Sequence, residues 1–300
     1  MTEGSGAASA DAATEAFLAH RSLLVGVAYR VLGTMSDADD VVQDTWLRWS
    51  GVDHDNVENP RSYLVTITSR LAIDRLRRRQ ASREQYVGEW LPEPVVTDPD
   101  PLESAELAES VSMGLLIVLE TLSPLERAVF VLHDAFGFGF AQIARMLDRS
   151  EEAVRQLGAR ARKHVQERRP RFTADVSTQR AVTERFLAAA TRGDVDGLLA
   201  ILAPGVTLVA DGGGKVRAPL LPVIGADKVT RFLVAAAGRL EPGQEVRIAM
   251  LNGQTALVVS TADGIPVAAT LIEIAGDRIG RLYLVGNPDK LRALTAGTSR

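Results

Sequence analysis

The charged residues of this chain are divided into segments of opposite sign, and that division limits how the chain can fold. Six arginines and a single acid, Asp74, lie between positions 70 and 83, and eight basic residues lie between 149 and 171. Residues 84–126, between these basic segments, contain ten acids and no lysine or arginine. We therefore expect two basic helical units, each able to neutralise several phosphates, joined by an acidic segment. On charge alone, the alternative interpretation is a pair of solvated helix faces.

Length and composition are those of a multidomain globular protein. The 300 residues predict two or three domains, and 46% hydrophobic and 24% charged residues exclude a wholly disordered or fibrous chain. Because the sequence contains no cysteine, disulfides, thiolate metal sites and a cysteine nucleophile are excluded. No signal-peptide pattern and no apolar run of membrane-spanning length is found, so we expect a cytoplasmic protein without membrane contact.

The first 80 residues have the pattern of three helices. Residues 1–15 are polar and expected to be disordered, and the spacing of apolar residues predicts helices over 17–32, 37–49 and 61–80. A capping box over 36–39 is expected to begin the second helix. The acidic segment that follows contains WLPEP at 90–94 and two further prolines, which predict an extended linker.

A helix-turn-helix is predicted between residues 140 and 165. A helix over 140–147, a turn at Asp148-Arg149 and a second helix that Ser150 caps form this motif. Apolar residues of the second helix form one stripe, which leaves its arginines, glutamine and lysine on the outside. These side chain types suit base edges and phosphates, so this helix is a candidate for DNA recognition.

The chain beyond residue 175 predicts a small α+β domain. Three helical segments and one strand precede an antiparallel meander, whose hairpins are indicated by Asn252-Gly253 and Asp263-Gly264. A curved sheet folded over helices would enclose a pocket, which is a candidate site for an unidentified small ligand. All four histidines lie before residue 175, and no acid of this domain is convincingly paired with another for acid-base catalysis. We therefore expect no catalytic residues, no metal and no cofactor.

Several strings together resemble a known family. SDADDVVQDT at 36–45, LAIDRLRR at 71–78, LSPLERAVFVL at 122–132 and the helix-turn-helix are similar to bacterial extracytoplasmic-function (ECF) RNA polymerase sigma factors. WLPEP at 90–94, DGGGK at 211–215 and NPDKL at 287–291 resemble the subgroup with a SnoaL-like C-terminal extension. The resemblance implies a multidomain fold in which two all-α sigma domains precede an α+β SnoaL-like, cone-shaped curved-sheet domain.

The resemblance also implies domain boundaries and a function. It places a sigma-two domain at 16–86, an acidic linker at 87–108, a sigma-four helix-turn-helix domain at 109–171 and a SnoaL-like regulatory domain at 175–300. The chain would bind core RNA polymerase through the clamp of the largest subunit and through the flap, and it would direct transcription from promoter DNA. The linker is expected either to be a solvated tether or to follow the basic RNA exit path of the polymerase.

Site residues carry over from the matching strings. The helix that would dock on core polymerase has an acidic face and contributes Asp37, Asp40, Val41, Gln43 and Asp44. The minus-ten promoter element would be bound by Tyr63, Arg70, Arg75, Arg77 and Arg78. The minus-thirty-five element would be bound by Arg149, Ser150, Arg155, Gln156, Arg160 and Lys163. Regulatory contacts are expected among Trp90, Leu91, Pro92, Glu93, Pro94, Asp211, Gly212, Gly213, Gly214, Lys215, Asn287, Pro288, Asp289, Lys290 and Leu291.

A second function remains open at this point. A helix-turn-helix fused to a pocket-forming domain is also the composition of a ligand-responsive DNA-binding regulator, or of a SnoaL-like enzyme with a DNA-binding head. Neither alternative requires contact with core polymerase, so that contact separates them from a sigma factor.

Overall fold

The computed structural model describes residues 3–82, 86–97, 112–168 and 176–295. The chain divides into two compact units. The first comprises the described residues of 1–84 and 118–168, and the second those of 85–117 and 169–300. The described parts of the two basic segments thus belong to one unit, whereas the described part of the linker belongs to the unit of the C-terminal domain. The remainder of the predicted linker, from 98 onward, lies outside the described residues.

The first unit is built of helices. Their bounds are α1 Glu3–Leu32, α2 Met35–Trp49, α3 Pro60–Ser82, α4 Met113–Glu120, α5 Pro124–Phe130, α6 Phe140–Leu147 and α7 Glu151–Arg168, and α4 contributes only its last turn to this unit. One π-helical turn, Val131–Ala135, follows α5. The side chain of Ser123 caps α5 in a complete capping box with Glu126. The predicted helix-turn-helix is present as α6 and α7, and Asp148 between them adopts a left-handed conformation with φ 53°.

Two expectations for the N-terminal helices are wrong. The segment expected to be disordered is helical from Glu3, which its many alanines favour because alanine has the highest helix propensity. Trp49 Nε1 donates to the Ala13 carbonyl at 2.8 Å and so ties this segment to α2. The capping box predicted over 36–39 does not form, since α2 begins at Met35 and Thr34 instead donates to Asp37 Oδ2 at 2.6 Å.

A buried arginine connects the helices that precede and follow the linker. Arg127 on α5 is 0% exposed, and its guanidinium donates to the carbonyls of Val31 at 2.7 Å and Leu119 at 2.8 Å. It also pairs with Glu120 Oε1 at 2.8 Å. Burial of this charge is tolerated because hydrogen bonds and an opposite charge replace its water. Arg127 therefore joins helices from both sides of the linker within one compact unit.

The second unit is an α+β fold. Its elements are α8 Val176–Arg192, α9 Val195–Ile201, β1 Leu202–Asp211, β2 Val223–Ile224, α10 Ala226–Ala237, β3 Glu245–Leu251, β4 Gln254–Ser260, β5 Pro266–Ala275, β6 Arg278–Val285 and α11 Pro288–Leu291, which a 3-10 turn follows. The described strands form a six-stranded sheet in the order β2-β1-β6-β5-β4-β3. Asn252 and Gly253 have φ of 52° and 67°, as the predicted hairpin turn requires.

Both faces of the sheet are covered. One core contains Phe186 of α8 and Leu198 of α9 against Ile272 and Leu282 of the sheet. The opposite core contains Leu91 of the linker, together with Met113 and Leu294. Irregular register within the pairs of β1 with β6, β4 with β5 and β5 with β6 bends the strands. The predicted architecture, all-α domains followed by an α+β domain with a curved sheet, is confirmed.

Candidate functional site

The acidic face of α2, defined as Asp37, Asp40 and Asp44, is only partly available at the surface. Asp40, Asp44 and the neighbouring Gln43 are exposed, whereas Asp37 is half-buried. Val41, expected on the docking surface, is 1% exposed and packs in the core of the unit. Apolar burial places Val41 inward in this structure, next to the buried Val42, and its contact with polymerase stays a prediction.

Asp37 is held by two arginines of α3. Arg75 Nη2 lies 2.6 Å from Asp37 Oδ1 and 2.6 Å from Asp40 Oδ2, and Arg79 Nη1 lies 2.9 Å from Asp37 Oδ2. Burial raises the pKa of Asp37, but the hydrogen bond from Thr34 and the charges of Arg79 and Arg75 outweigh it, so the pKa is below its usual value. In this structure Asp37 and Arg75 thus join α2 to α3.

The residues expected at the minus-ten element do not form one cluster. Arg77 and Arg78 are exposed and bond to Asp74. Tyr63 is 37% exposed, and its ring centroid lies 5.8 Å from that of Trp49. Arg70 Nε instead donates to the Met146 carbonyl of α6 at 2.7 Å. Of the five predicted side chains, Arg70 and Arg75 therefore already serve contacts inside the unit.

The helix α7, predicted to recognise DNA, has one buried and one exposed face. Ser150 Oγ accepts from the Ala153 amide at 3.2 Å and caps the helix, while Val154, Gly158, Ala161 and Val165 are buried. An added Cβ on Gly158 would lie 3.0 Å from the Phe140 ring, so glycine permits the close approach of α6 and α7. The residues left on the exposed surface are Arg149, Arg155, Gln156, Arg160 and Lys163.

In the second unit, a buried carboxylate holds the linker. Tyr86 lies one residue before the predicted start of the linker but belongs to the same unit, so we count it as part of the linker. We define the linker clasp as Tyr86, Trp90, Leu91, Asp211 and Lys290. Asp211 is 0% exposed; its Oδ1 accepts from the Tyr86 hydroxyl at 2.5 Å, and its Oδ2 accepts from the Leu91 amide at 2.8 Å. Lys290 Nζ, on α11, donates to Asp211 Oδ2 and to the Leu91 carbonyl, each at 2.6 Å. Three distant parts of the chain thus meet at one carboxylate.

Aromatic rings complete the clasp around the Lys290 ammonium. Nζ lies 3.9 Å from the ring centroid of Trp90 and 5.0 Å from that of Tyr86. Burial and the adjacent Asp211 carboxylate raise the pKa of the Tyr86 phenol above its usual value, so the hydroxyl remains a donor. Asn287 Nδ2 donates to the Tyr86 hydroxyl at 2.9 Å, while its Oδ1 accepts from the Asp289 amide and caps α11 as predicted.

The glycines after Asp211 allow this close approach. Gly213 has φ 58°, and a Cβ there would lie 2.3 Å from Asn287 Nδ2, while one on Gly212 would lie 2.4 Å from the Val216 carbonyl. Pro92, Glu93, Pro94 and Leu291 are buried, whereas Pro288 is exposed and Lys215 forms an exposed ion pair with Asp289. The structure therefore brings the WLPEP, DGGGK and NPDKL segments together.

The linker continues along the hairpin of β3 and β4. Val96 forms an antiparallel bridge with Leu251, and the Thr97 amide donates to the Met250 carbonyl at 3.1 Å. Asn252 accepts from the Val95 amide through Oδ1 at 3.0 Å and donates its own amide to the Val95 carbonyl at 2.9 Å. Sequence reasoning missed Tyr86 and Asn252, although the tyrosine beside WLPEP was a usable signal.

Comparisons with known proteins identify the family. The family models described as Sigma-70 region 2 and Sigma-70, region 4 match residues 4–82 and 114–165. The ECF RNA polymerase sigma factor SigJ of Mycobacterium tuberculosis (strain ATCC 25618 / H37Rv) is 38% identical over 286 residues, which cover 91% of each chain. This chain belongs to the ECF RNA polymerase sigma factors. Membership of this family supports a function in promoter recognition.

A second relative and a solved structure of SigJ support this assignment. The probable ECF sigma factor SigI of Mycobacterium tuberculosis (strain CDC 1551 / Oshkosh) is 36% identical over 222 residues, 73% of this chain and 75% of that protein. The crystal structure of Mycobacterium tuberculosis SigJ has a TM-score of 0.74 with this sigma factor at 38% identity, and covers 93% of this chain and 98% of that one. Within the described ranges, no helix is long and apolar enough to cross a membrane.

The Asp211→Asn variant tests the clasp. Loss of the carboxylate leaves Lys290 buried without its opposite charge, so the linker should detach more often. We expect chymotrypsin cleavage at Tyr86 and Trp90 to become roughly tenfold faster, which corresponds to about 1.4 kcal/mol of opening free energy.

The matched control for this variant is Asp289→Asn, which removes an exposed ion pair in the same region. Its cleavage rate should stay close to that of the unmodified chain, since exposed pairs contribute little to stability. Equal cleavage rates in the two variants would contradict the clasp.

Proposed function

We propose that this sigma factor docks on core RNA polymerase through α2, recognises the minus-thirty-five element through α7, and is regulated through the linker clasp. The observation that carries the regulatory part is the convergence of Tyr86, Leu91 and Lys290 on the buried Asp211 carboxylate. The motifs in these segments support membership of the subgroup with a SnoaL-like extension.

Docking on polymerase is assigned to the exposed part of the acidic face. Asp40, Gln43 and Asp44 lie on the surface of α2, and carboxylates suit a basic partner surface such as the clamp of the largest subunit. Asp37 acts indirectly, because its ion pairs with Arg75 and Arg79 position α2. The helix-turn-helix unit is assigned to the flap.

Promoter recognition is assigned to two sets of exposed side chains. Arg155, Gln156 and Arg160 project from α7, where they suit base edges of the minus-thirty-five element, and Lys163 suits a phosphate. The exposed Arg77 and Arg78 of α3 suit the backbone of the minus-ten element. Arg70 is exposed as well, and its guanidinium has N–H groups besides the Nε–H that donates to the Met146 carbonyl, so it also suits this backbone.

Regulation follows from where the linker is held. An acidic linker in the RNA exit path of polymerase must be extended and cannot remain on the sheet of the second unit. In this structure, residues 86–97 lie against that sheet. Binding of core polymerase therefore requires a shift from the clasped population to an open one. The C-terminal domain acts as the restraint, and residues 176–300 contain no histidine for acid-base catalysis.

A small ligand is proposed to bias this equilibrium. A cleft between α9 and α10, lined by Val195, Leu199 and Thr230 among others, lies in the same domain. A ligand shifts the population only by the difference in its affinity for the two states.

Asp44→Lys tests polymerase docking. Reversal of this exposed charge places a cation against a basic surface, so affinity for purified core polymerase should fall by at least about tenfold. Asp263→Lys, the same charge change in the exposed turn between β4 and β5, should bind normally. Affinity for core polymerase is measured by fluorescence anisotropy. If this affinity is unchanged in both variants, the result favours the alternative function, a ligand-responsive DNA-binding regulator.

Arg155→Ala tests the recognition helix. If its contact with a base is bidentate, holoenzyme should lose about 1 to 3 kcal/mol of binding free energy on its cognate minus-thirty-five element and much less on a scrambled element. Arg180→Ala is the matched control, because Arg155 and Arg180 each pair with a glutamate four residues away. An equal loss on both elements would make Arg155 a phosphate contact.

Run-off transcription tests the regulatory assignment. The Asp211→Asn variant should give a higher transcript yield than the unmodified chain at subsaturating core polymerase, since its linker is released more readily. The Asp289→Asn control should transcribe as the unmodified chain does. Identical yields from all three proteins would contradict control through the clasp.

A further inference from the structure

The surroundings of the Lys290 ammonium have the composition of a ligand site. Two oxygens, Asp211 Oδ2 and the Leu91 carbonyl, each accept a hydrogen bond from Nζ at 2.6 Å. The Trp90 ring lies 3.9 Å from the same atom, and the Tyr86 ring lies 5.0 Å from it. A carboxylate, a carbonyl and two aromatic faces are the groups that recognise an alkylammonium ion.

The groups that bind the cation and the group that carries it come from different segments. Tyr86, Trp90 and Leu91 belong to the linker, and Asp211 ends β1, whereas Lys290 lies on α11, a helix of four residues. Lys290 is 5% exposed and Asp211 is fully buried, so the site excludes water when it is occupied. A buried carboxylate is stable only beside a cation. When α11 leaves with Lys290, the Asp211 carboxylate therefore favours the binding of another cation in its place.

We propose that Tyr86, Trp90, the Leu91 carbonyl and Asp211 form a binding site for primary alkylammonium ligands. Lys290 occupies this site in cis, and a diffusible alkylamine occupies it when α11 leaves. Since the cis lysine has a high effective concentration, the unmodified chain responds only to abundant amines. The regulatory consequence rests on the proposed function: such an amine would keep the linker on the sheet without α11.

The test uses the full-length Lys290→Ala variant and n-propylammonium, which replaces the atoms that the substitution removes. Isothermal titration calorimetry should show saturable binding. Tetramethylammonium, which cannot donate hydrogen bonds, and the Asp211→Asn/Lys290→Ala double variant should each bind at least about tenfold more weakly. Neutral 1-propanol should not bind.

Three results would overturn the proposal. They are no saturable heat with n-propylammonium, equal affinity for tetramethylammonium, and equal affinity in the double variant. If Lys290→Ala disrupts the second unit, the readout becomes recovery of its circular dichroism spectrum, which n-propylammonium should restore and equal sodium chloride should not. Failure to restore the spectrum would also contradict the site. These measurements need no polymerase, so the binding site can be contradicted independently of the proposed regulatory function.

Discussion

The organisation of the second unit depends on one buried carboxylate. Asp211 accepts hydrogen bonds from Tyr86 and Leu91 of the linker and pairs with Lys290 of α11. Such a charge is stable in the interior only while its partners remain, so loss of any one partner weakens the hold on the others. The WLPEP, DGGGK and NPDKL segments therefore act as one structural element, although some 200 residues of sequence separate the first from the last.

Several cations of the first unit are likewise held by carbonyl and carboxylate oxygens. Arg127 is buried between carbonyls and Glu120, and Arg75 joins Asp37 and Asp40. Arg70 bonds to the Met146 carbonyl at the end of α6. Side chains expected at DNA thus also contribute to contacts inside the unit. The recognition surface of α7 is different, since its arginines are already exposed.

Local sequence patterns predicted much of the fold, but they did not predict contacts between residues that are far apart in the sequence. The helix-turn-helix, the Asn252-Gly253 turn and the Asn287 cap follow from neighbouring residues, because periodicity and backbone preference act over a few positions. The inward position of Val41, the pairing of Asp37 with Arg79, and the bond of Arg127 to the Val31 carbonyl depend on residues tens of positions away. Asn252 was identified as a turn residue, but its bonds to Val95 form only after the linker reaches the hairpin.

Native-state amide hydrogen exchange at Leu91 and Val95 measures the clasp most directly. The Leu91 amide donates to Asp211 and the Val95 amide to Asn252, so both should exchange slowly in the free chain. Addition of core polymerase should accelerate both amides as the linker is released. Exchange of the Leu91 amide in the free chain at the rate of an unstructured peptide would contradict the account.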